Sequence, residues 1–279
     1  MLTNKITHVI GVDEAGRGPI AGPVTVGMVA VPVEIFLAYG LGGKWFAPHI
    51  DRLTKSQKGL IGSGIRGLVK SVNSERLGGA PAGRVARATN SNRRAQSTTN
   101  YKDQNTLQEI DSLLLQLRNS ARDSKKLSEK KREQVHATIT QLKKICEPAL
   151  FHYATSSTGP AIIDEKGIRS ALDQAVARGL SKFSCDPMRV LIVCDGSLWA
   201  QKKYVHQHTI IKGDARVPLI SAASIVAKVT RDTRMLKIDQ DFPEYSFGQN
   251  KGYGTQGHYD AIRSHGLINK VHRKSWIKD

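Results

Sequence analysis

Cysteine is scarce in this chain of 279 residues. Only Cys146, Cys185 and Cys194 occur, and no two of them form a CxxC pair. An odd number of cysteines without such a pair argues against a disulfide framework and against a structural zinc site. We therefore expect a protein of a reducing compartment, stabilised by a hydrophobic core.

Long apolar runs and acidic residues are also scarce. No run approaches the roughly 18 apolar residues of a membrane span, and the first residues, MLTNKITHVIG, contain no long apolar stretch. Asp and Glu number 24 against 42 Lys and Arg, which gives a formal net charge of +18. We expect a soluble, cytoplasmic protein with no membrane association, attracted to a polyanion such as nucleic acid. The alternative is that the charge serves only solubility.

Strands alternate with helices along the chain. The first two strands are rich in Val and Ile with almost no polar interruption, which predicts a central place in a sheet covered on both faces. We predict strands at 7–13, 23–31, about 149–156, 189–196 and 206–214, and helices at about 107–117, 128–146, 165–182 and 218–240. This order predicts an α/β fold with a mixed sheet.

A basic block interrupts this pattern between residues 34 and 122. From 52 to 100 it carries ten Lys and Arg against one acid, Glu75. Low hydrophobicity with high net charge opposes a packed core, so we predict that 76–103 is disordered or loosely ordered. The block reads as an insertion, either an inert linker or an arm that binds phosphates nonspecifically.

Carboxylates follow three of the predicted strands. Asp13 and Glu14 follow VIGV, Asp195 follows VLIVC, and Asp214 follows TIIKG. Sites in open α/β sheets form at the carboxyl ends of strands, so these acids converge if the strands are neighbours. Such a cluster repels itself unless divalent cations fill it, and hard oxygen ligands suit Mg²⁺ or Mn²⁺. The alternative is that each acid is a turn residue or a helix cap.

The segment after the first strand pairs two glycines with an arginine. Gly16 and Gly18 lack a Cβ, which lets backbone amides approach a ligand closely, and Arg17 can hold a phosphate with its planar fork. A tight turn without a ligand explains the same residues.

Five ordered blocks together resemble the ribonuclease HII family, the type 2 ribonucleases H. They are DEAGRGPIAGPV, DSKKLSEKKRE, VLIVCDG, IIKGDARVPLISAASIVAKVTRD and FPEYSFGQNKGYGT. The resemblance covers about residues 7–31 and 123–276.

This resemblance implies an RNase H-like fold, a mixed β-sheet flanked by helices. It divides the chain into a catalytic core of residues 1–33 and 123–247, the insertion at 34–122, and a helical substrate-gripping extension at 248–279. The implied activity is endonucleolytic cleavage of RNA in RNA–DNA hybrids, and cleavage 5′ of single ribonucleotides in duplex DNA. The products carry a 3′-hydroxyl and a 5′-phosphate. Such hybrids and duplexes are the expected partners of a chain that we expect to be monomeric.

The resemblance also assigns residues. The catalytic and metal-binding residues are Asp13, Glu14, Asp195 and Asp214, and the substrate-binding residues are Gly16, Arg17, Gly18, Lys125 and Tyr253. Two ions, Mg²⁺ or Mn²⁺, would activate the attacking water and stabilise the leaving oxygen. The Gly-Arg-Gly backbone would meet the ribose 2′-hydroxyl, and Tyr253 would stack on the next sugar.

Other functions fit part of the sequence. A noncatalytic nucleic-acid-binding protein explains the charge but gains nothing from clustered acids. A transposase or resolvase of the same fold explains the acids but not the Gly-Arg-Gly and KGYGT segments. In the last long helix, Lys228 and Arg231 can contact substrate or line a solvated face, and Ser221 and Ser224 can bind phosphate or cap a turn.

Overall fold

A mixed five-stranded sheet forms the centre of the molecule. The computed structural model describes residues 6–46, 104–120, 127–146 and 150–277. The strands are β1 (His8–Ala15), β2 (Val24–Pro32), β3 (His152–Thr158), β4 (Val190–Asp195) and β5 (His206–Ile210). Their order in the sheet is β3-β2-β1-β4-β5, with β1, β4 and β5 parallel and β2 antiparallel to both its neighbours. The predicted mixed sheet is confirmed.

Helices cover both faces of this sheet. They are α1 (Val33–Ala38), α2 (Gly43–Phe46), α3 (Gln104–Ser120), α4 (Glu129–Cys146), α5 (Pro160–Leu180), α6 (Gly213–Arg216), α7 (Pro218–Asp241), α8 (Phe247–Asn250) and α9 (Gln256–His265). Two 3-10 turns, Pro243–Tyr245 and Lys274–Trp276, complete the described elements. Within the described ranges, no helix has the length and apolar character needed to span a bilayer.

Side chains of β1 alternate between two apolar layers. Val9 belongs to a cluster formed with α1, α3, α4 and α7, whereas Ile10 and Val12 belong to a cluster formed with α5. The long helix α7 lies close against the sheet because Gly27 has no side chain: a Cβ there would be 2.2 Å from the carbonyl oxygen of Ala223. This close packing places the middle of α7 beside the carboxyl ends of β1 and β4.

The described ends of the predicted insertion are packed into the core. Ile35 and Phe36 of α1, and Leu114 and Leu117 of α3, are buried in the same cluster as Val9. The boundaries 34 and 122 stay a prediction, and the predicted loose segment 76–103 lies outside the described residues.

Two predicted elements differ at their ends. β5 stops at Ile210 instead of 214, because Lys212 adopts a left-handed backbone (φ 54°) and α6 begins at Gly213. The helix predicted from 165 begins at Pro160 and is broken at Gly167 (φ 74°). The short piece before this break contains Asp164, whose carboxylate accepts hydrogen bonds from the backbone N–H groups of Lys274 and Ser275, both at 3.0 Å.

Candidate active site

The parallel pairing of β1 and β4 brings two predicted site residues together. Val12 is paired with Cys194, so Asp13 and Asp195 come next at the same edge of the sheet. Their exposed fractions are only 1 % and 9 %. Both acids are buried because β1 and β4 are central strands with apolar neighbours on both sides. They lie at the carboxyl ends of these strands, where ligand sites form in α/β sheets.

A cavity of about 400 Å³ opens at this edge. It is lined by carboxylates, which we call its carboxylate side, and by a glycine-rich loop, which we call its loop side. Its lining consists of Asp13, Glu14, Ala15, Gly16, Arg17, Gly18, Arg132, Asp195, Ser224, Lys228 and Tyr253. Residues predicted from distant parts of the sequence therefore share one cavity.

Asp13 is the most perturbed acid of the site. Burial raises its pKa well above the usual value, and the charges of Glu14 and Asp195 raise it further. Hydrogen bonds from the Ser224 side chain and from the Glu14 N–H, which lies 2.7 Å from Asp13 Oδ1, offset this only in part. Burial and then the same three carboxylates also raise the pKa of the Cys194 thiol. The carboxylate side of the cavity therefore has a strongly negative potential.

The carboxylates suit a hard divalent cation. Among the residues with described placement, no three His, Cys, Asp or Glu side chains already form a metal-ligand cluster. Asp13 Oδ2, however, is buried and has no hydrogen-bond partner in the described part of the chain. A buried carboxylate oxygen in this state costs free energy that a cation would recover, and an all-oxygen donor set fits Mg²⁺ or Mn²⁺.

Asp214 lies beside the cavity and not in its lining. It is 3 % exposed and sits in α6, not at the end of β5. The preceding residue links it to the other acids, because the Gly213 N–H donates to Asp195 Oδ1 at 2.6 Å. The structure thus brings three of the four predicted carboxylates into the cavity and places the fourth one residue from a direct contact with them.

The Arg17 guanidinium is already engaged. Its Nη2 lies 2.8 Å from Glu14 Oε1, and Nη1 and Nη2 donate to Ser197 Oγ at 3.1 and 3.2 Å. The side chain that the sequence offered as a phosphate fork therefore holds Glu14 in place. Arg17 and both glycines of the segment belong to the lining of the cavity.

Tyr253 lines the same cavity beside Gly18. Its side chain is 47 % exposed, and its Cε1 would be 4.0 Å from a Cβ placed on Gly18. An exposed aromatic ring beside a glycine leaves room for a flat or ring-shaped group. The remaining predicted substrate-binding residue, Lys125, lies outside the described residues.

Two basic residues line the cavity although little or nothing in the sequence indicated that they belong to the site. Lys228 lies one turn after Ser224 on α7 and pairs with Asp232 at 2.8 Å. Arg132 lies on α4 and donates to the Leu127 carbonyl. Both are partly buried at the border of the buried face of their helix, a place where lysines and arginines commonly occur without any ligand. Only the packing of α4 and α7 against one edge of the sheet directs them to the cavity.

Comparisons with known proteins agree on one family. The family model described as Ribonuclease HII matches residues 108–279. A ribonuclease HII from Bacillus thuringiensis (strain Al Hakam) is 42 % identical over 276 residues, covering 98 % of this chain and 71 % of the relative. One from Shewanella sp. (strain MR-7) is 43 % identical over 159 residues, covering 55 % of this chain and 71 % of the relative. The predicted family resemblance is confirmed.

Solved structures support the fold. The ribonuclease HII of a PCNA:RNase HII complex from Archaeoglobus fulgidus matches with a TM-score of 0.53 at 17 % identity, over 97 % of this chain and 96 % of that one. The ribonuclease H2 from Pyrococcus horikoshii matches with a TM-score of 0.51 at 18 % identity, over 96 % and 93 %. The RNase H-like fold predicted from the sequence is therefore confirmed.

Proposed function

This chain belongs to the ribonuclease HII family and is a ribonuclease H enzyme, and from that premise we propose what it cuts and with which residues. The proposed reaction is endonucleolytic cleavage of RNA in RNA–DNA hybrids and cleavage 5′ of a single ribonucleotide in duplex DNA. Hydrolysis leaves a 3′-hydroxyl and a 5′-phosphate. Family membership excludes the alternative of a noncatalytic nucleic-acid-binding protein. The position of the cut is part of the proposal.

The carboxylate side of the cavity would hold the divalent ions. Asp13, Glu14 and Asp195 supply the oxygens, with Asp214 as the fourth acid behind them. Mg²⁺ or Mn²⁺ bound there would supply Lewis-acid activation of water and of the leaving oxygen. Arg17 orients Glu14 through the 2.8 Å ion pair, and Ser224 shares in holding Asp13.

The loop side of the cavity would recognise the sugar. Backbone groups of Gly16, Arg17 and Gly18 face the space that Tyr253 borders. A 2′-hydroxyl is a donor and an acceptor, so backbone groups at this place can distinguish ribose from deoxyribose. Arg132 and Lys228 add positive charge at the rim, which favours a phosphodiester strand.

One observation carries the proposal: three acids, the Gly-Arg-Gly segment and an exposed tyrosine line a single cavity. A site for general phosphodiester hydrolysis needs only the acids. The second side is what a nuclease requires to select the sugar.

The direct test uses a labelled DNA duplex that contains one ribonucleotide, incubated with Mg²⁺ or Mn²⁺. We expect one cut on the 5′ side, with a 3′ end that a polymerase extends and a 5′ end that a ligase joins. The same duplex without the ribonucleotide, and the Asp13→Asn variant, are the controls. Cleavage of the all-DNA duplex, or a cut 3′ of the ribonucleotide, would contradict the proposal. A monomeric state and a cytoplasmic location stay predictions.

A further inference from the structure

The loop between β1 and β2, residues 16–23, is held by a buried arginine from the far end of the chain. Arg273 is 0 % exposed. Its Nε donates to the Gly22 carbonyl at 3.0 Å, Nη1 to the Arg17 carbonyl at 3.0 Å and Nη2 to the Gly16 carbonyl at 2.6 Å. All three guanidinium nitrogens are thus used on the backbone of one loop, which we call the Gly-Arg-Gly loop.

A second buried arginine supports the same loop from α7. Arg231 is 1 % exposed and donates from Nε to the Pro23 carbonyl at 3.0 Å and from Nη2 to the Ala21 carbonyl at 3.1 Å. Gly16, at φ 87°, lies so close that a Cβ would be 2.1 Å from Arg231 Nε. The two guanidinium groups therefore donate hydrogen bonds to five carbonyls of the Gly-Arg-Gly loop and fix its backbone conformation.

These contacts determine where the amides of the loop point. In a trans peptide unit the C=O and N–H bonds are antiparallel. The carbonyls of Gly16 and Arg17 point to Arg273, so the N–H groups of Arg17 and Gly18 point away from it, and both residues line the cavity. Arg273 thus fixes the direction of two backbone donors in the lining of the cavity.

His272, the residue before Arg273, is linked to Tyr253 through a pair of histidines. The Ile268 N–H donates to His272 Nδ1 at 2.8 Å, so the proton of neutral His272 is on Nε2. That N–H faces His258 Nε2 at 3.1 Å, which leaves the His258 proton on Nδ1, 2.8 Å from the Tyr253 carbonyl. The pair is buried, and its hydrogen bonds run in one direction to the backbone of Tyr253.

Backbone contacts tie the two arms together. The Arg273 N–H donates to the Ile20 carbonyl at 2.8 Å, the Gly22 N–H donates to the Val271 carbonyl at 2.8 Å, and the Ala21 N–H donates to the Gly252 carbonyl at 3.1 Å. The segment 271–273 therefore contacts the Gly-Arg-Gly loop directly, and the loop in turn contacts the segment of Tyr253.

We propose that the dipeptide His272–Arg273 is a positioning element that sets the distance between the Gly-Arg-Gly loop and Tyr253. Arg273 aims the Gly-Arg-Gly amides, and His272 acts through His258 to place Tyr253. The dipeptide thereby determines how well the enzyme selects a ribonucleotide followed by a deoxynucleotide. This inference rests on the proposed function and adds positioning residues to it.

The test replaces Arg273 by lysine. A lysine keeps the charge but has a single ammonium in place of the fork, so it cannot hold three carbonyls at once. We expect kcat/KM on the single-ribonucleotide duplex to fall on the order of 10- to 100-fold, the cost of a misplaced substrate. On a uniform RNA–DNA hybrid, which does not need the junction, we expect a loss several times smaller. Arg263→Lys, at an exposed arginine of α9, is the matched control and should change neither rate.

A purely structural role predicts a different result. If Arg273→Lys only lowers the folded fraction, both substrates lose the same factor and their ratio is unchanged, which would overturn the proposal. His272→Gln tests the other arm in the same assay and should shift the ratio in the same direction. If His272→Gln leaves the ratio of the two rates unchanged, the role proposed for His272 is wrong.

Amide hydrogen exchange separates this inference from the proposed function. In Arg273→Lys we expect faster exchange in peptides that cover 16–23 and 250–255, with the exchange of β4 unchanged. If the wild-type enzyme failed to cut the single ribonucleotide, the proposed function would fall, and faster exchange in these two segments would still support the positioning role. Unchanged exchange in both segments would contradict it.

Discussion

The two walls of the cavity bury charge in opposite ways. The carboxylate wall, Asp13, Glu14 and Asp195, places like charges side by side and leaves Asp13 Oδ2 without a hydrogen-bond partner among the described residues. The loop wall, residues 16–23 with Tyr253, rests on Arg231 and Arg273, which donate five hydrogen bonds to backbone carbonyls. Of their guanidinium nitrogens, Arg231 Nη1 makes no hydrogen bond among the described residues and lies 4.0 Å from Asp232 Oδ1. Dipoles are thus the main partners of the buried cations, whereas buried anions on the other side are left for a ligand to neutralise.

This difference separates stability from activity. Burial lowers the pKa of Arg273 to about 9, with the Arg231 charge as the next cause, so the guanidinium is still protonated at neutral pH. Asp13 shows the reverse case, because its charged form is disfavoured by the fold. We therefore expect changes in the carboxylate wall to abolish activity and increase stability, and changes at loop positions that contact Arg231 or Arg273 to reduce both.

The largest expected effect is that of Asp13→Asn. Removing a ligand oxygen and a negative charge should lower kcat by about 10³-fold or more. The same change relieves repulsion with Glu14 and Asp195, so the unfolding midpoint at pH 7 should rise, by about 2–4 °C for each ~1 kcal/mol relieved. Thermal unfolding and single-turnover cleavage measure the two effects.

Asp173→Asn is the matched control for this variant. Asp173 is half-exposed and pairs with Arg169 on the surface of α5, where an ion pair contributes about 0–1 kcal/mol. It should change neither quantity. An Asp13→Asn variant that unfolds at a lower temperature than wild type would show that the two walls do not differ as described.

Gly16→Ala and Gly18→Ala sharpen the comparison within the loop wall. Alanine at Gly16 requires a left-handed backbone and collides with Arg231, so the free energy of unfolding should drop by on the order of 3 kcal/mol. Gly18 is outside the left-handed region, and its nearest neighbour is Tyr253 Cε1 at 4.0 Å. There we expect stability within about 0.5 kcal/mol of wild type and reduced cleavage, because the methyl group enters the cavity.

Urea unfolding and cleavage rates of both variants provide the measurement. Equal stability of the two variants would contradict the role assigned to Arg231 contacts. Full activity of Gly18→Ala would contradict the placement of substrate beside this residue.

Acid should weaken the support of Tyr253. Burial and the neighbouring His258 lower the pKa of His272 to about 4, against about 6.5 in the unfolded chain. The unfolded state therefore binds the proton first, so this contribution to stability is present above pH 6.5 and is lost as the pH falls toward 4. Between pH 7 and 5 the loss amounts to about 2 kcal/mol.

The groups facing this pair are Tyr245, Phe247 and the Ile268 N–H, with Arg273 next in the chain. Urea unfolding as a function of pH should show a flatter profile for His272→Gln than for wild type. His265→Gln, at an exposed histidine of the same region, should keep the wild-type profile. Parallel profiles of wild type and His272→Gln would show that the pair does not titrate in this way.

The smallest expected effect is that of Tyr253→Ala. Loss of ring stacking should cost about tenfold in kcat/KM on the single-ribonucleotide duplex, and less on a long hybrid. Tyr253→Phe keeps the ring and should stay close to wild type. Equal losses on both substrates would remove the junction role of the ring.

Much of the fold could be predicted from local patterns. Apolar runs identified β1, β2 and β4, and the helical spacing of apolar residues identified α4 and α5, because burial on one or both faces determines these patterns directly. The end of β5 could not be predicted in this way, since the left-handed Lys212 that terminates it has no signature in residue type. Nor did the basic composition of 34–122 indicate that its apolar ends, around Phe36 and Leu114, pack into the core.

The sequence by itself determined the family and the strands that carry Asp13, Glu14 and Asp195. Only the tertiary structure decided that these strands are neighbours, that the Arg17 fork is occupied by Glu14 and Ser197, that Asp214 is not in the lining of the cavity, and that Arg273 holds a loop 257 positions away in the chain. The reason is physical. Apolar periodicity marks burial on a single element, whereas a guanidinium that binds main-chain carbonyls has partners that every residue type possesses, so no pattern of side chains can reveal them.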